Sequence, residues 1–264
     1  MIAQTAAAQA AYGSDLIVAM LRSFGIEYVA ANPGATFRGL HESLVHHAPG
    51  GAPELIEVCH EEIAVAIAHG YAKATGRPMA AALHNVVGLT HAAMAIFNAY
   101  CDRVPVLLLG GTGPMDTTQR RPWIDWVHTA FPQSDPVRPF LKWDDQPATL
   151  AAAVDSFIQG YRLMVADPPG PVYLCYDVLL QEEVLPAAPV VPSPADYPVP
   201  AAPAPDPEAI ARAADLLAGA RSPAIIAEGL MLSPGAGDLL EAVSARLAAP
   251  VIEITRSGSS LRNT

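Results

Sequence analysis

The residues with the clearest chemical potential lie between Cys59 and Gly88. Glu61 and Glu62 stand where strand-like sequence gives way to a helix that is too apolar to face water along its length. A carboxylate in the first turn of a helix is favoured by the positive end of the helix dipole. Apolar walls act the other way and raise a carboxyl pKa into the range useful for proton exchange. On physical grounds alone, a structural cap or salt bridge is the commoner role for such a Glu. His84 stands where a strand ends and a turn (Asn85, Val86, Val87, Gly88) opens another helix. Ligand sites in open parallel sheets form at the carboxyl ends of strands. His84 is therefore either an acid–base group or a packed histidine bonded to backbone.

The remaining polar candidates carry less. His46 and His47 read as a solvated helix end. His69 reads as interfacial or capped, and His91 as helix surface or subunit contact. His128, near Trp123 and Trp126, could line a pocket mouth. Arg120 and Arg121 could steer an anionic substrate, but surface salt bridges are the simpler reading. Cys59, Cys101 and Cys175 are scattered and make neither a disulfide framework nor a CxxC metal site. No metal ligand is assigned within the sequence.

The elements that must position these residues alternate. Ser14 is a plausible N-cap for a helix over 15–21 that stops at Gly25. Residues 28–31 read as a buried strand broken by Asn32, Pro33 and Gly34. A helix over 36–45 and a strand over 54–58 follow. The helix over 61–75 is small on one face (Ala64, Ala66, Ala68, Ala72) and ends at Gly76 and Pro78. Then come a strand over 79–83, a helix over 89–100, a strand over 104–109 closed by Gly110 and Gly111, a helix over 150–165 and a strand over 171–176. Short apolar strands separated by helices predict a mostly parallel sheet covered on both faces, a three-layer α/β/α domain.

Prolines at 186, 189, 192, 194, 198, 200, 203, 205 and 207 exclude helix and central strand, so this segment reads as an extended linker. Asp206 as N-cap and Pro207 as first residue restart helical structure, with a helix over 209–217. A strand over 224–227 with a turn at Glu228 and Gly229, a helix over 239–247 and a strand over 251–254 follow. The organisation expected is a first domain over 1–182, a Pro-rich linker over 183–206 and an incomplete, Rossmann-like α/β domain over 207–264. That last unit is thin for independent stability, and the sequence stops at Arg262, Asn263 and Thr264 without a closing feature.

Bulk properties narrow the class. Of the 264 residues 52% are apolar, enough for a sizeable core, and 16% are charged, which suggests surface shared with other subunits or domains. A net charge of −11 argues against a general nucleic-acid binder. The Ala-rich N-terminus lacks the basic start and apolar core of a signal peptide. No run reaches the roughly 18–20 apolar residues of a membrane span. A reduced, cytoplasmic setting is expected.

The stretch around Glu61 resembles the pyrimidine-binding domain of thiamine-diphosphate-dependent enzymes of the acetolactate synthase, benzoylformate decarboxylase and pyruvate oxidase group. There an H-E or Q-E pair precedes a small-residue helix and then G-Y-A-x-A-(T/S)-G-x-P. Glu61, Gly70, Tyr71, Ala72, Ala74, Thr75, Gly76 and Pro78 fill those positions. Asn32, Pro33 and Gly34 resemble the family's N-P-G loop near the aminopyrimidine. Asp102, Arg103, Val104, Pro105 and Val106 resemble its D-x-x-P-(V/L) turn. Gly170, Pro171, Val172, Tyr173 and Leu174 resemble the strand that ends the domain. Residues 223–229, with Pro250 and Val251, resemble the start of the central domain. The likeness runs from about 13 to 263.

The resemblance implies roles. Glu61 would hydrogen-bond N1′ of the aminopyrimidine, stabilising the tautomer through which the cofactor deprotonates its own thiazolium. Asn32, Pro33, Gly34 and Ala35, with Glu61, would contact the cofactor. Glu62 keeps the plain role of helix N-terminal charge. His84 resembles the active-site histidine in the L-H-S-A-A-G turn of benzoylformate decarboxylase, where acetolactate synthases carry S-G-P-G. Ala35 departs from that decarboxylase, which has serine there against the substrate carboxylate, and so argues against benzoylformate itself. Thiamine diphosphate and Mg2+ are the cofactors implied. The family's C-terminal domain holds the diphosphate and the ion through a G-D-G…N motif, which this sequence lacks. Gly235, Ala236, Gly237 and Asp238 only superficially resemble it. A separate C-terminal polypeptide or a lost C-terminal part is therefore expected, and a homodimer or homotetramer as the active unit.

The function expected is decarboxylation of a small 2-oxo acid with possible carboligation. An acetolactate-synthase-type transferase is the alternative within enzymes. A non-catalytic binding or assembly subunit is the alternative outside them. A nicotinamide-binding Rossmann protein is a poor reading, because no strand is followed by GxGxxG.

Overall fold

A computed structural model describes residues 11–46, 53–187, 190–227 and 235–253. The Ala-rich start (1–10), His47, Pro189, the turn at Glu228 and Gly229, and the final residues 262–264 lie outside the described residues.

Contacts divide the chain into two compact units, residues 1–69 with 78–199, and residues 70–77 with 200–264. The first is built on six strands: β1 (Tyr28–Ala31), β2 (Glu54–Glu57), β3 (Met79–His84), β4 (Val106–Thr112), β5 (Trp143–Asp145) and β6 (Val172–Asp177). They pair in the order β2-β1-β3-β4-β6-β5, every pairing parallel. Parallel strands need crossovers, and helices supply them: α1 (Gly13–Ser23), α2 (Arg38–His46), α3 (Glu61–Thr75), α4 (Asn85–His91), α5 (Ala93–Cys101), α6 (Ile124–His128), α7 (Leu150–Val165) and α8 (Val178–Glu182). The expected layered α/β architecture is present.

The core follows from the apolar patterning. All seven residues of β4 and all six of β6 are buried, as central strands covered on both faces require. Leu16, Ile17, Met20 and Leu21 of α1 form one buried helical face. Each such burial contributes roughly 1.5–3 kcal/mol. Cys175 lies wholly inside, where burial pushes its thiol pKa up to about 12 and leaves it inert.

Several elements differ from their expected form. Ser14 is not the cap of α1: it lies buried within the helix, where its Oγ accepts a bond of 2.8 Å from Ser43. Asp15 instead accepts the Tyr12 N–H at 2.7 Å. The helix expected over 89–100 is two helices, α4 and α5, meeting at Ala92, and α4 begins earlier. β4 runs through Gly110 and Gly111 instead of ending before them. A side chain at Gly110 would collide with the Tyr173 hydroxyl, and one at Gly111 would stand 2.6 Å from Thr36 Oγ1. Those glycines seat neighbours; they do not turn the chain. On α3, Ala64, Val65 and Ala68 are buried while Ala66 is exposed, because positions 64 and 68 share a helical face and 66 does not.

Part of the proline-rich stretch lies against the first unit. Ser23 Oγ donates to the Pro192 carbonyl at 2.9 Å, and Arg162 Nε to that of Pro198 at 3.2 Å.

In the second unit, α9 (Pro207–Gly219) is capped by Asp206, whose side chain accepts the Glu208 N–H, with Pro207 in the first turn. There β7 (Ile225–Ala227) and β8 (Val251–Glu253) pair in parallel, and α10 (Ala236–Leu247) connects them in the chain. Gly235, at φ +77°, precedes α10, a left-handed backbone that suits glycine. Among the described residues no helix is long and apolar enough to cross a membrane.

Candidate functional site

Four adjacent strands bring the candidate residues to one edge of the sheet. The carboxyl end of β2 leads into Glu61, and that of β1 leads into residues 32–35. β3 ends on His84, and β4 ends at Thr112 opposite Asp177. This is the edge at which parallel sheets place ligands.

Glu61 is the first residue of α3 and is 5% exposed. The His60 carbonyl accepts the Ile63 and Ala64 N–H groups, while its ring Nδ1 accepts the Glu62 N–H at 3.1 Å. The imidazole thus satisfies one of the free donors of the helix start, and Glu62 lies exposed beside it. Gly88 of α4 lies against Glu61: a Cβ there would stand 2.7 Å from Oε1 and 2.8 Å from Cγ. Glycine gives the whole carboxyl side chain room. His91 Nδ1, at the end of α4, is 3.8 Å from the other carboxylate oxygen. The His60 and His91 rings stack, with centroids 5.0 Å apart and an interplanar angle of 15°.

Among the described residues, His60, Glu61 and His91 bring three potential ligand atoms within 4.8 Å of one another. Imidazole lone pairs lie in the ring plane, and nearly parallel stacked rings do not aim theirs at a common point. The arrangement frames the carboxylate better than it would hold an ion.

His84 is gripped at both nitrogens. Nδ1 is 2.9 Å from Thr36 Oγ1, and Nε2 is 3.2 Å from Asn85 Nδ2. A side chain at Gly34 would collide with its ring, so the glycine of the Asn32-Pro33-Gly34 loop is what lets that loop close on the imidazole. The His128 ring stands 6.3 Å away. Burial, and then His128, lower the His84 pKa, while the charge of Glu61 opposes them. The neutral imidazole is therefore favoured at pH 7.

Asn32, Pro33 and Gly34 also line a cavity of about 310 Å3 with Phe37, Arg38 and Ala82. Neither Glu61 nor His84 is among its lining residues. Ala35, exposed, opens a short 3-10 turn whose Thr36 and Phe37 are buried.

The loop after β4 is tied down by polar contacts. Asp177 accepts N–H bonds from Met115 and Leu179. Arg120 donates to the Pro114 carbonyl at 2.7 Å and lies 4.9 Å over the Trp126 ring. Arg121 forms a two-pronged bond with buried Asp125, at 3.1 and 2.9 Å, which holds that carboxyl below its usual pKa. Both arginines are thus engaged within the loop. Trp123, just before α6, and Trp126 within it are exposed, and His128 at the end of α6 approaches His84.

Of the other histidines, His46 pairs with Glu42 at 3.2 Å, and His69 lies 3.0 Å from Asp102. Sequence reasoning passed over Thr36, Asn85, Gly88 and the proximity of His91 to Glu61.

The family described as "Thiamine pyrophosphate enzyme, N-terminal TPP binding domain" matches residues 12–136. The protein named "Probable 2-ketoarginine decarboxylase AruI" of Pseudomonas aeruginosa is 30% identical over 237 residues, 89% of this chain and 40% of its own. An acetolactate synthase large subunit of Haemophilus influenzae is 34% identical over 99 residues, 38% of this chain and 17% of its own. The crystal structure of benzoylformate decarboxylase from Polynucleobacter necessarius shares the fold, with a TM-score of 0.73 at 22% identity over 92% of this chain and 43% of that one. The chain spans less than half the length of these relatives.

Proposed function

We propose, for a chain that belongs to the thiamine-diphosphate-dependent enzyme family, that residues 1–182 form the cofactor-activating half of a 2-oxo acid decarboxylase. The observation that carries this reading is Glu61, a buried carboxylate at a helix start, with a glycine opposite it where any larger residue would crowd it. An aminopyrimidine needs such a carboxylate at its ring nitrogen, so the residues present fit the cofactor.

When bound, thiamine diphosphate supplies a carbon nucleophile and an electron sink for decarboxylation. Glu61 holds a proton at the aminopyrimidine ring nitrogen. Asn32, Pro33, Gly34 and Ala35 shape the neighbouring wall. His84, neutral and half-buried, accepts or returns a proton at the substrate's carbonyl oxygen. Its presence favours decarboxylation over an acetolactate-synthase-type transfer. The diphosphate and Mg2+ are assigned to a C-terminal domain outside residues 1–264, and the active unit to a cytoplasmic homodimer or homotetramer in which a second subunit completes each site.

The test is turnover of a panel of 2-oxo acids by the native holoenzyme and its Glu61→Gln variant. Expected are an aldehyde product and a fall of about 10²–10⁴-fold in kcat/KM for the variant, with melting behaviour unchanged. Acetolactate from pyruvate would replace the decarboxylase reading with the transferase. Wild-type turnover in the variant would discard the role of Glu61.

A further inference from the structure

We propose that Asn85 is a positioning residue that locks His84 into one neutral tautomer, with its proton on Nδ1 and an unprotonated Nε2. The catalytic consequence rests on the reading of His84 given above; the tautomer itself does not.

The Val87 N–H can only donate, and it donates to Asn85 Oδ1 at 2.9 Å. That bond fixes which end of the Asn85 amide is oxygen. The other end is therefore NH2, and it lies 3.2 Å from His84 Nε2. An amide NH2 has no lone pair to offer, so Nε2 must be the acceptor and carries no hydrogen. A neutral imidazole then has its hydrogen on Nδ1, 2.9 Å from Thr36 Oγ1, which accepts it.

The lock is built rigidly. Asn85 is fully buried and held at φ +43°, a left-handed conformation that asparagine tolerates better than most residues. Turning its amide over would present NH2 to the Val87 N–H, donor against donor. Protonating His84 on Nε2 would oppose two donors in the same way. The groups that face the ring electrostatically are His128 of α6, which disfavours the cation, and Glu61 of α3, which favours it; burial sides with His128. His84 therefore rests as a base at Nε2, and a proton that arrives there is held weakly and released readily.

The experiment is nitrogen-detected NMR of the intact protein carrying 15N-labelled histidine, read against pH for wild type, Asn85→Asp and Asn85→Gly. His84→Gln identifies the signal. The wild type should show the Nδ1–H form, titrating below the ordinary histidine range. Asn85→Asp keeps an acceptor for Val87 and the tolerance of positive φ, but offers Nε2 a carboxylate. The proton should move to Nε2, and the midpoint should rise above that of wild type. Asn85→Gly suits the backbone and removes both side-chain bonds; it should show mixed tautomers, with a melting temperature below that of wild type. In turnover, the acid limb of kcat/KM should move to higher pH in Asn85→Asp. A wild-type Nε2–H form, or an unchanged tautomer and midpoint in Asn85→Asp, overturns the lock. A confirmed lock with full activity in His84→Gln would instead overturn only the catalytic reading of His84.

Discussion

The two chemical corners of the first unit are held in opposite ways. Glu61 sits in a space cleared for it: Gly88 withdraws, and its neighbour His91 stays at 3.8 Å, beyond hydrogen-bond reach. His84 is committed on both sides, to Thr36 at one nitrogen and to Asn85 at the other. The carboxylate is shaped by exclusion of bulk, and the imidazole by hydrogen bonds. The difference separates room from orientation as ways of preparing a side chain.

Substitutions can break that comparison in order of size. Removing the oriented group, in His84→Gln, should lower kcat/KM by roughly 10²–10³-fold with little change in melting temperature. A loss confined to KM would show that His84 binds and does not move protons. Filling the cleared space, in Gly88→Ala, should cost about 10²-fold in activity through displacement of the carboxylate. Its melting temperature should change little or fall, because the crowding of Glu61, typically about 1–3 kcal/mol, offsets the roughly 0.8–1.0 kcal/mol by which Ala favours helix over Gly. Unchanged activity would mean that the room beside Glu61 is incidental.

The smallest effect is on stability against pH. Burial depresses the His84 pKa below the ordinary histidine value of about 6.5. As pH falls below that value, the unfolded chain takes up a proton that the folded chain refuses. Folding stability should therefore fall through this range and be fully recovered above it. In His84→Gln this part of the pH dependence of melting should vanish. If it persists, another group titrates there.

The same contrast explains what the sequence made legible. The bounds of α3 followed from periodicity, the acidic first turn and Gly76, and Glu61 stood out through its match to the family motif. The parallel sheet followed from apolar strands such as β4. Three features were hidden for physical reasons. β5 is a three-residue edge strand with two aspartates, and pairing with β6 defines it more than composition does. Gly110 and Gly111 look like a strand end until Tyr173 and Thr36, both distant in sequence, press against them. The approach of His91 to Glu61 joins the end of one helix to the start of another. Local propensity carries no record of such meetings. Asn85 was hidden differently: its type suggested a turn, which is true, while its amide also serves the histidine before it.

The candidate side chains arise from separate turns after four neighbouring strands, three of which carry buried runs. Exchanging one turn leaves the strands that carry the others in register. Chemistry on such a scaffold is modular: a single corner can change without asking the protein to learn to fold again.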